Sequence, residues 1–233
     1  RQKDLSKMLF PYTKGGSYAQ YFDGKSNLRP DSNFVVLELE ELKQKKDLQE
    51  VVLLSLIHQI QQDMYLTRTD DIRKMVIIDE AWDLLGGSNT AKFMEDGYRR
   101  FRKYGGMACC ITQSYADFAR FEAGNAIIAN SAFKFFGRQE QASIEALRAS
   151  KHVILPDHMY SQIMSINTDP GNYSEIFMLT PMGFDTTRLI VDRFTQLLYT
   201  TDPDEKVAIQ RFTDKGMSIN RAIEEVIALE KKY

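Results

Sequence analysis

Asp79 and Glu80 are adjacent carboxylates standing directly after an apolar run, Met75-Val76-Ile77-Ile78. Two acids so placed can divide two tasks, holding a divalent cation through its water shell and polarising a water for attack on a phosphoryl group. A neutral amide, Gln113, closes the next apolar run, Met107-Ala108-Cys109-Cys110-Ile111-Thr112. If the two runs are neighbouring strands, the amide sits beside the acids and can orient the same water. Between them, Tyr98-Arg99-Arg100-Phe101-Arg102-Lys103-Tyr104 gathers four positive charges at one helix end. Such a cluster can complement a helix dipole, touch nucleic acid, or reach phosphates bound to a neighbouring subunit.

The elements that must position these groups follow from the surrounding pattern. The run ending at Ile78 reads as a buried parallel strand that delivers Asp79 and Glu80 to its C-terminal edge, where open α/β sheets bind ligands. This matches the Walker B arrangement of P-loop nucleotide hydrolases, in which the first acid holds the magnesium shell and a following glutamate polarises water; the alternative is an ordinary buried strand that ends in acids because its end meets solvent. Upstream, residues 5–10 predict a helix stopped by Pro11, residues 15–32 a loop, and residues 34–39 a strand. Asp47 is available as the N-cap of a helix whose apolar residues, Leu48, Val51, Val52, Leu56 and Ile60, would cover one sheet face.

Downstream, a helix over residues 90–103 ends at Gly105-Gly106, and a third strand spans residues 107–112. Short helices at 114–120 and 125–131, a strand at 132–136 and a helix at 139–150 continue the alternation. That grammar predicts a mostly parallel sheet with helices on both faces. The tail departs from it, with an antiparallel pair at 175–179 and 185–191 and two helices at 203–214 and 218–232.

At 233 residues and 43% hydrophobic, the chain can bury one sizeable core. Thirty Lys and Arg against 32 Asp and Glu leave a net charge of -2, which excludes a global basic field for nucleic acid. The two cysteines, Cys109 and Cys110, are adjacent and form no disulfide framework, and with three histidines no zinc site is expected. The longest apolar stretch, residues 51–57, is far short of the roughly 20 residues needed to cross a bilayer. The chain opens Arg1-Gln2-Lys3-Asp4 without an initiator Met, so it reads as a piece of a longer polypeptide.

One motif reads as a chance match. Residues 19–26, Ala-Gln-Tyr-Phe-Asp-Gly-Lys-Ser, satisfy a loose phosphate-loop pattern with Ala at the first glycine position. No strand feeds it, Asn27-Leu28-Arg29-Pro30 continues no helix, and Asp23 would put a negative charge in the cradle. His152 and His158 read as surface or capping residues, Trp82 as packing, and Phe133, Phe135 and Phe136 as core.

Taken in order, Gly15-Gly16-Ser17-Tyr18, Phe22-Asp23-Gly24, Leu37-Glu38-Leu39-Glu40-Glu41-Leu42, Ile77-Ile78-Asp79-Glu80-Ala81-Trp82, Arg102-Lys103-Tyr104-Gly105-Gly106 and Thr112-Gln113-Ser114 resemble a known family. It is the C-terminal ATPase domain of the large conjugation ATPases of type IV secretion systems, most closely the TraC type. The resemblance covers most of the chain up to about Gly137.

It implies an α/β, RecA-like P-loop NTPase sheet with helices on both faces, here lacking the P-loop segment, plus a C-terminal β-hairpin and helices. The implied division is an ATPase domain over residues 1–200 and a helical extension over 201–233. Asp79 is then the magnesium-shell acid, Glu80 the catalytic glutamate, Gln113 the sensor, and Arg102, with Arg99 second, the arginine finger. The implied cofactors are ATP and Mg2+. The implied partners are further copies, as a hexamer, and inner-membrane secretion-channel proteins, at the cytoplasmic face of the inner membrane.

The implied function is to power type IV secretion, pilus assembly and substrate transfer by ATP hydrolysis in the complete protein, with the isolated piece expected to be inactive alone and to bind ATP weakly or not at all. Two alternatives stand beside it: a coupling protein or DNA translocase of the same superfamily, or a non-catalytic module docking on channel subunits.

Overall fold

The structure, a computed structural model, describes residues 2–24, 32–65, 72–81, 85–150 and 153–230, with Gln2, Lys3 and Ser88 described by backbone alone. Trp82, His152, Lys25 and Ser26 lie outside the described residues. The chain forms two compact units, Arg1–Ile72 and Arg73–Tyr233.

In the first unit, α1 (Gln2–Leu9) runs into a 3-10 turn, Phe10–Tyr12, in which Pro11 takes an early position that needs no N–H. Tyr12 gathers Tyr18 and Phe22 at ring distances of 5.4 and 5.6 Å. Gly16 is required here, because a Cβ would lie 2.2 Å from the Phe10 carbonyl oxygen. A single-turn helix, α2 (Ala19–Phe22), occupies part of the expected loop. The long helix α3 (Lys46–Tyr65) is present as predicted, with Asp47 inside its acidic first turn rather than capping it.

Residues 34–39 correct the first strand expectation. They pair with no strand among the described residues, and Phe34 to Leu37 are exposed. A β-favouring run without a hydrogen-bonding neighbour has no ladder to join, so propensity alone leaves it as extended chain.

In the second unit, β1 (Lys74–Ile78) meets the next strand only after the helix α4 (Ser88–Arg100). A 3-10 turn, Phe101–Tyr104, and Gly105 at φ 69° then reverse the chain into β2 (Gly106–Cys110). The two strands are parallel, with Lys74 opposite Gly106 and Ile78 opposite Cys110. Val76, Ile78, Ala108 and Cys110 point to one face and meet Phe93, Met94, Tyr98 and Phe101 of the helical layer. The other face bears Met75, Ile77 and Met107, which are 52%, 56% and 56% exposed.

The chain continues through α5 (Tyr115–Ala119), α6 (Glu122–Asn130), β3 (Lys134–Phe136), α7 (Gln141–Ser150), α8 (Asp157–Ser165), β4 (Thr168–Asp169), β5 (Tyr173–Thr180) and β6 (Gly183–Leu189). Here the mostly parallel expectation is corrected. Among the described strands only β1 and β2 are parallel, whereas β3, β4 and β6 all pair antiparallel with β5. The β5–β6 hairpin turns through Pro181 and Met182 and is closed by Gly183, φ 137°, a conformation that suits glycine. The strand β3 joins this hairpin because Phe136, opposite Phe177, buries its ring against it at 6.1 Å. Phe133 and Phe135 point outward and are exposed, so of the three phenylalanines expected in the core only Phe136 reaches it.

Phe177 is the centre of the larger core, with Tyr115, Ile128, Ile144, Leu147, Tyr160 and Ile163 around it. Three final helices, α9 (Arg193–Leu198), α10 (Pro203–Thr213) and α11 (Ile219–Glu230), enclose a separate cluster of Leu197, Ile209, Ala222, Ile223 and Val226. Arg193 fastens that bundle, reaching Glu205 at 2.8 Å and Glu230 at 2.6 Å. Of these elements, α8, β4 and α9 carried no sequence expectation.

Candidate active site

The strand β1 ends at Ile78, so Asp79 and Glu80 stand in the turn just beyond it. Backbone bonds carry the strand pairing past this turn, from Ile111 N–H to the Ile78 carbonyl at 2.9 Å and from Ala81 N–H to the Ile111 carbonyl at 3.0 Å. The two bonds bracket Glu80, which adopts φ 49°, the positive-φ position among the described non-glycine residues. A glutamate held in the left-handed region stores strain, and such strain concentrates where a side chain must be aimed. The Asp79 Oδ1 accepts the Glu80 N–H at 3.0 Å and stabilises this turn.

From the neighbouring strand end, the Gln113 Nε2 donates to the Glu80 Oε1 at 2.6 Å. The structure therefore brings together Asp79, Glu80 and Gln113, as the parallel-neighbour reading requires. Thr112 Oγ1 donates to the Asp117 Oδ2 at 3.0 Å, and the Ser114 N–H donates to the same oxygen at 3.1 Å. Ser114 Oγ in turn accepts the Ala116 N–H at 3.2 Å, completing a capping box at the start of α5. Beside Gln113 opens a cavity of about 440 Å³ lined by Gln113, Ser114, Arg138, Gln139, Glu140 and Ser143.

The donor set suits magnesium in one specific way. No group of three or more His, Cys, Asp or Glu side chains converges among the described residues. Mg2+ does not need one, since it keeps several waters and takes one or two carboxylates plus the phosphates of its nucleotide. Asp79, an exposed carboxylate at the strand edge, meets that requirement.

Arg102 and Arg99 lie elsewhere. Arg102 is exposed on the 3-10 turn that precedes β2, at the edge of the parallel pair opposite Asp79 and Glu80. Five paired residues separate the two edges, roughly 16 Å along the strands. Arg99 is engaged within its own helix, 2.8 Å from the Glu95 carboxylate. Neither arginine shares the edge of Glu80 within the chain.

Burial pushes the Cys110 thiol up to about 11 and raises Cys109 as well. In the phosphate-loop match, Ala19 to Phe22 are helical where a phosphate cradle needs loop backbone. The exposed His158 lies against Phe184, with ring centres 5.7 Å apart.

Sequence reasoning missed the fastening of the strand end. The Ser-x-x-Asp spacing of Ser114 and Asp117 was a legible capping signal. Gln139 and Ser143 carried none, because they reach the site through the fold.

A family profile described as the TraG P-loop domain matches residues 2–230. The chain belongs to this family. It is 30% identical over 234 residues to Protein TraC of Escherichia coli (strain K12), an alignment covering 96% of this chain and 26% of TraC. The structure of VirB4 of Thermoanaerobacter pseudethanolicus superposes with a TM-score of 0.56 at 22% identity, covering 87% of this chain and 51% of that one. The chain thus spans about half of that structure and a smaller part of TraC. The likeness shows a mixed α/β, RecA-like fold. No helix among the described residues is long and apolar enough to cross a membrane.

Proposed function

We propose that this chain forms the Walker B side of an ATP-hydrolysing motor that powers type IV secretion, including conjugative pilus assembly and substrate transfer. The observation that carries the reading is the 2.6 Å contact between Gln113 and Glu80 at one edge of a parallel strand pair, with Asp79 adjoining. In this reading Asp79 holds the magnesium shell, and the ion supplies charge neutralisation for the phosphates when ATP is bound. Glu80 takes the proton of the attacking water, and the Gln113 amide fixes the carboxylate that does so. The left-handed backbone at Glu80 sets the direction of that carboxylate, which meets the Gln113 amide.

The edge opposite Glu80 holds Arg102, a position suited to serving another copy's nucleotide rather than its own. This position is consistent with the partners that the family resemblance implies, namely further copies of the chain, as a hexamer, together with inner-membrane channel proteins at the cytoplasmic face. Of the two candidate fingers, Arg102 is favoured because Arg99 is held by Glu95.

The test is Mg2+-dependent ATP hydrolysis by the full-length polypeptide carrying this domain. Asp79→Asn is expected to reduce turnover at least ~100-fold at saturating ATP and to raise the Mg2+ concentration needed for half-maximal rate. Wild-type Mg2+ dependence in this variant would remove Asp79 from the metal.

A further inference from the structure

Resting on the reading just given, we propose that Gln139 is a positioning residue for the water-orienting pair, fixing Gln113 beside it in the lining of the adjoining cavity. Gln113 lies between the strand end and the Ser114 cap of α5, and its side chain can hold Glu80 only if its backbone is held in turn. Its flanking residues are tied down locally, Thr112 and Ser114 both to Asp117. The Gln113 carbonyl is fastened from afar. It accepts from the Gln139 Nε2 at 3.4 Å, a donor that the Arg138 carbonyl shares at 3.3 Å.

A shared, long bond aligns a group only when the donor itself is fixed. Gln139 is fixed by Ser143, whose Oγ donates to the Gln139 Oε1 at 3.1 Å. Ser143 is a buried polar residue, 8% exposed, on the α7 face that packs into the Phe177 core. Its Oγ also lies 3.0 Å from the Ser114 Oγ, which closes the ring of contacts back to the strand end. The amide of Gln139 is thus oriented by one end and used by the other, with its Oε1 on Ser143 and its Nε2 on Gln113. A burial role alone would place no demand on which end is which. The result is a hydrogen-bonded path from the main core through Ser143 and Gln139 to Gln113 and Glu80.

The path makes a prediction that a merely structural residue would not meet. Gln139 acts through Gln113, so its removal matters only while Gln113 is present. In the full-length protein, Gln139→Ala should lower kcat roughly three- to tenfold, the scale of one hydrogen bond, with KM for ATP and the unfolding midpoint unchanged. Gln139→Glu keeps size and the Oε1 acceptor but loses the donor, and should fall at least as far. In a Gln113→Ala background, already impaired, adding Gln139→Ala should change kcat less than twofold.

Equal losses in both backgrounds, or a wild-type kcat in Gln139→Ala, would overturn the proposal while leaving the function intact. A Gln113→Ala enzyme that turns over at the wild-type rate would instead overturn the role of Gln113 and this inference with it.

Discussion

The parallel pair β1–β2 and the antiparallel sheet around β5 are held by different forces. In the antiparallel sheet the central residue, Phe177, is completely buried, and helices α5 to α8 supply its surroundings. In the parallel pair one face is covered by α4, while Met75, Ile77 and Met107 on the other stay more than half exposed. Its C-terminal edge is organised instead by polar contacts, from Asp79 to Glu80, Gln113 to Glu80 and Asp117 to the strand end. The packed region supplies stability, and the polar-fastened region supplies a site whose geometry rests on a few exchangeable bonds.

That contrast can be broken or sharpened by substitution, beginning with the largest effect. If the parallel pair presents Arg102 to a neighbouring copy, Arg102→Ala in the full-length protein should reduce hydrolysis ~1,000-fold or more where subunits associate. Under conditions of verified dispersal to monomers the variant and wild type should hydrolyse ATP equally slowly. Equal loss of a measurable monomer activity would place the residue's role within the subunit.

Stability should divide the regions next. Phe177→Ala is expected to cost ~3–5 kcal/mol in denaturant unfolding, because it leaves a cavity in a fully buried position. Ile77→Ala, on the open face of β1, should cost less than ~1 kcal/mol. Costs of similar size would show that the face is covered in solution.

The smallest effect concerns pH. The Asn167 N–H, then the Arg188 side chain, hold the Glu175 carboxyl below its ordinary range. A depressed folded pKa means that this contribution is complete above the unfolded value and is lost as pH falls through the folded one. Arg188→Ala should therefore lower stability slightly at neutral pH and flatten its decline below about pH 4.5, so that the variant and the parent converge in acid. Parallel acid profiles for the two proteins would remove this bond from the account.

The legible parts of the chain were those specified by neighbours in sequence. The helix over 46–65, the Asp79-Glu80 strand end, Gln113 after the adjoining strand, and the 203–213 and 219–230 helices could all be read from periodicity and punctuation. What escaped depended on distant partners. Residues 34–39 and Phe136 have the same β-favouring chemistry, yet only Phe136 meets a strand, because Phe177 is opposite it. At the site, residue types revealed the acids and the amide. They did not reveal the left-handed turn at Glu80, nor Gln139 reaching back across 26 residues of sequence.

The central claim is that Glu80 activates the water while other groups bind the nucleotide. It is tested most directly by Glu80→Gln in the full-length protein, with turnover and ATP affinity measured on the same preparation. The substitution keeps the size of the side chain and leaves Asp79 for the metal, so hydrolysis should fall at least ~100-fold while ATP binds as tightly as to wild type. Hydrolysis within a few-fold of wild type would contradict the assignment.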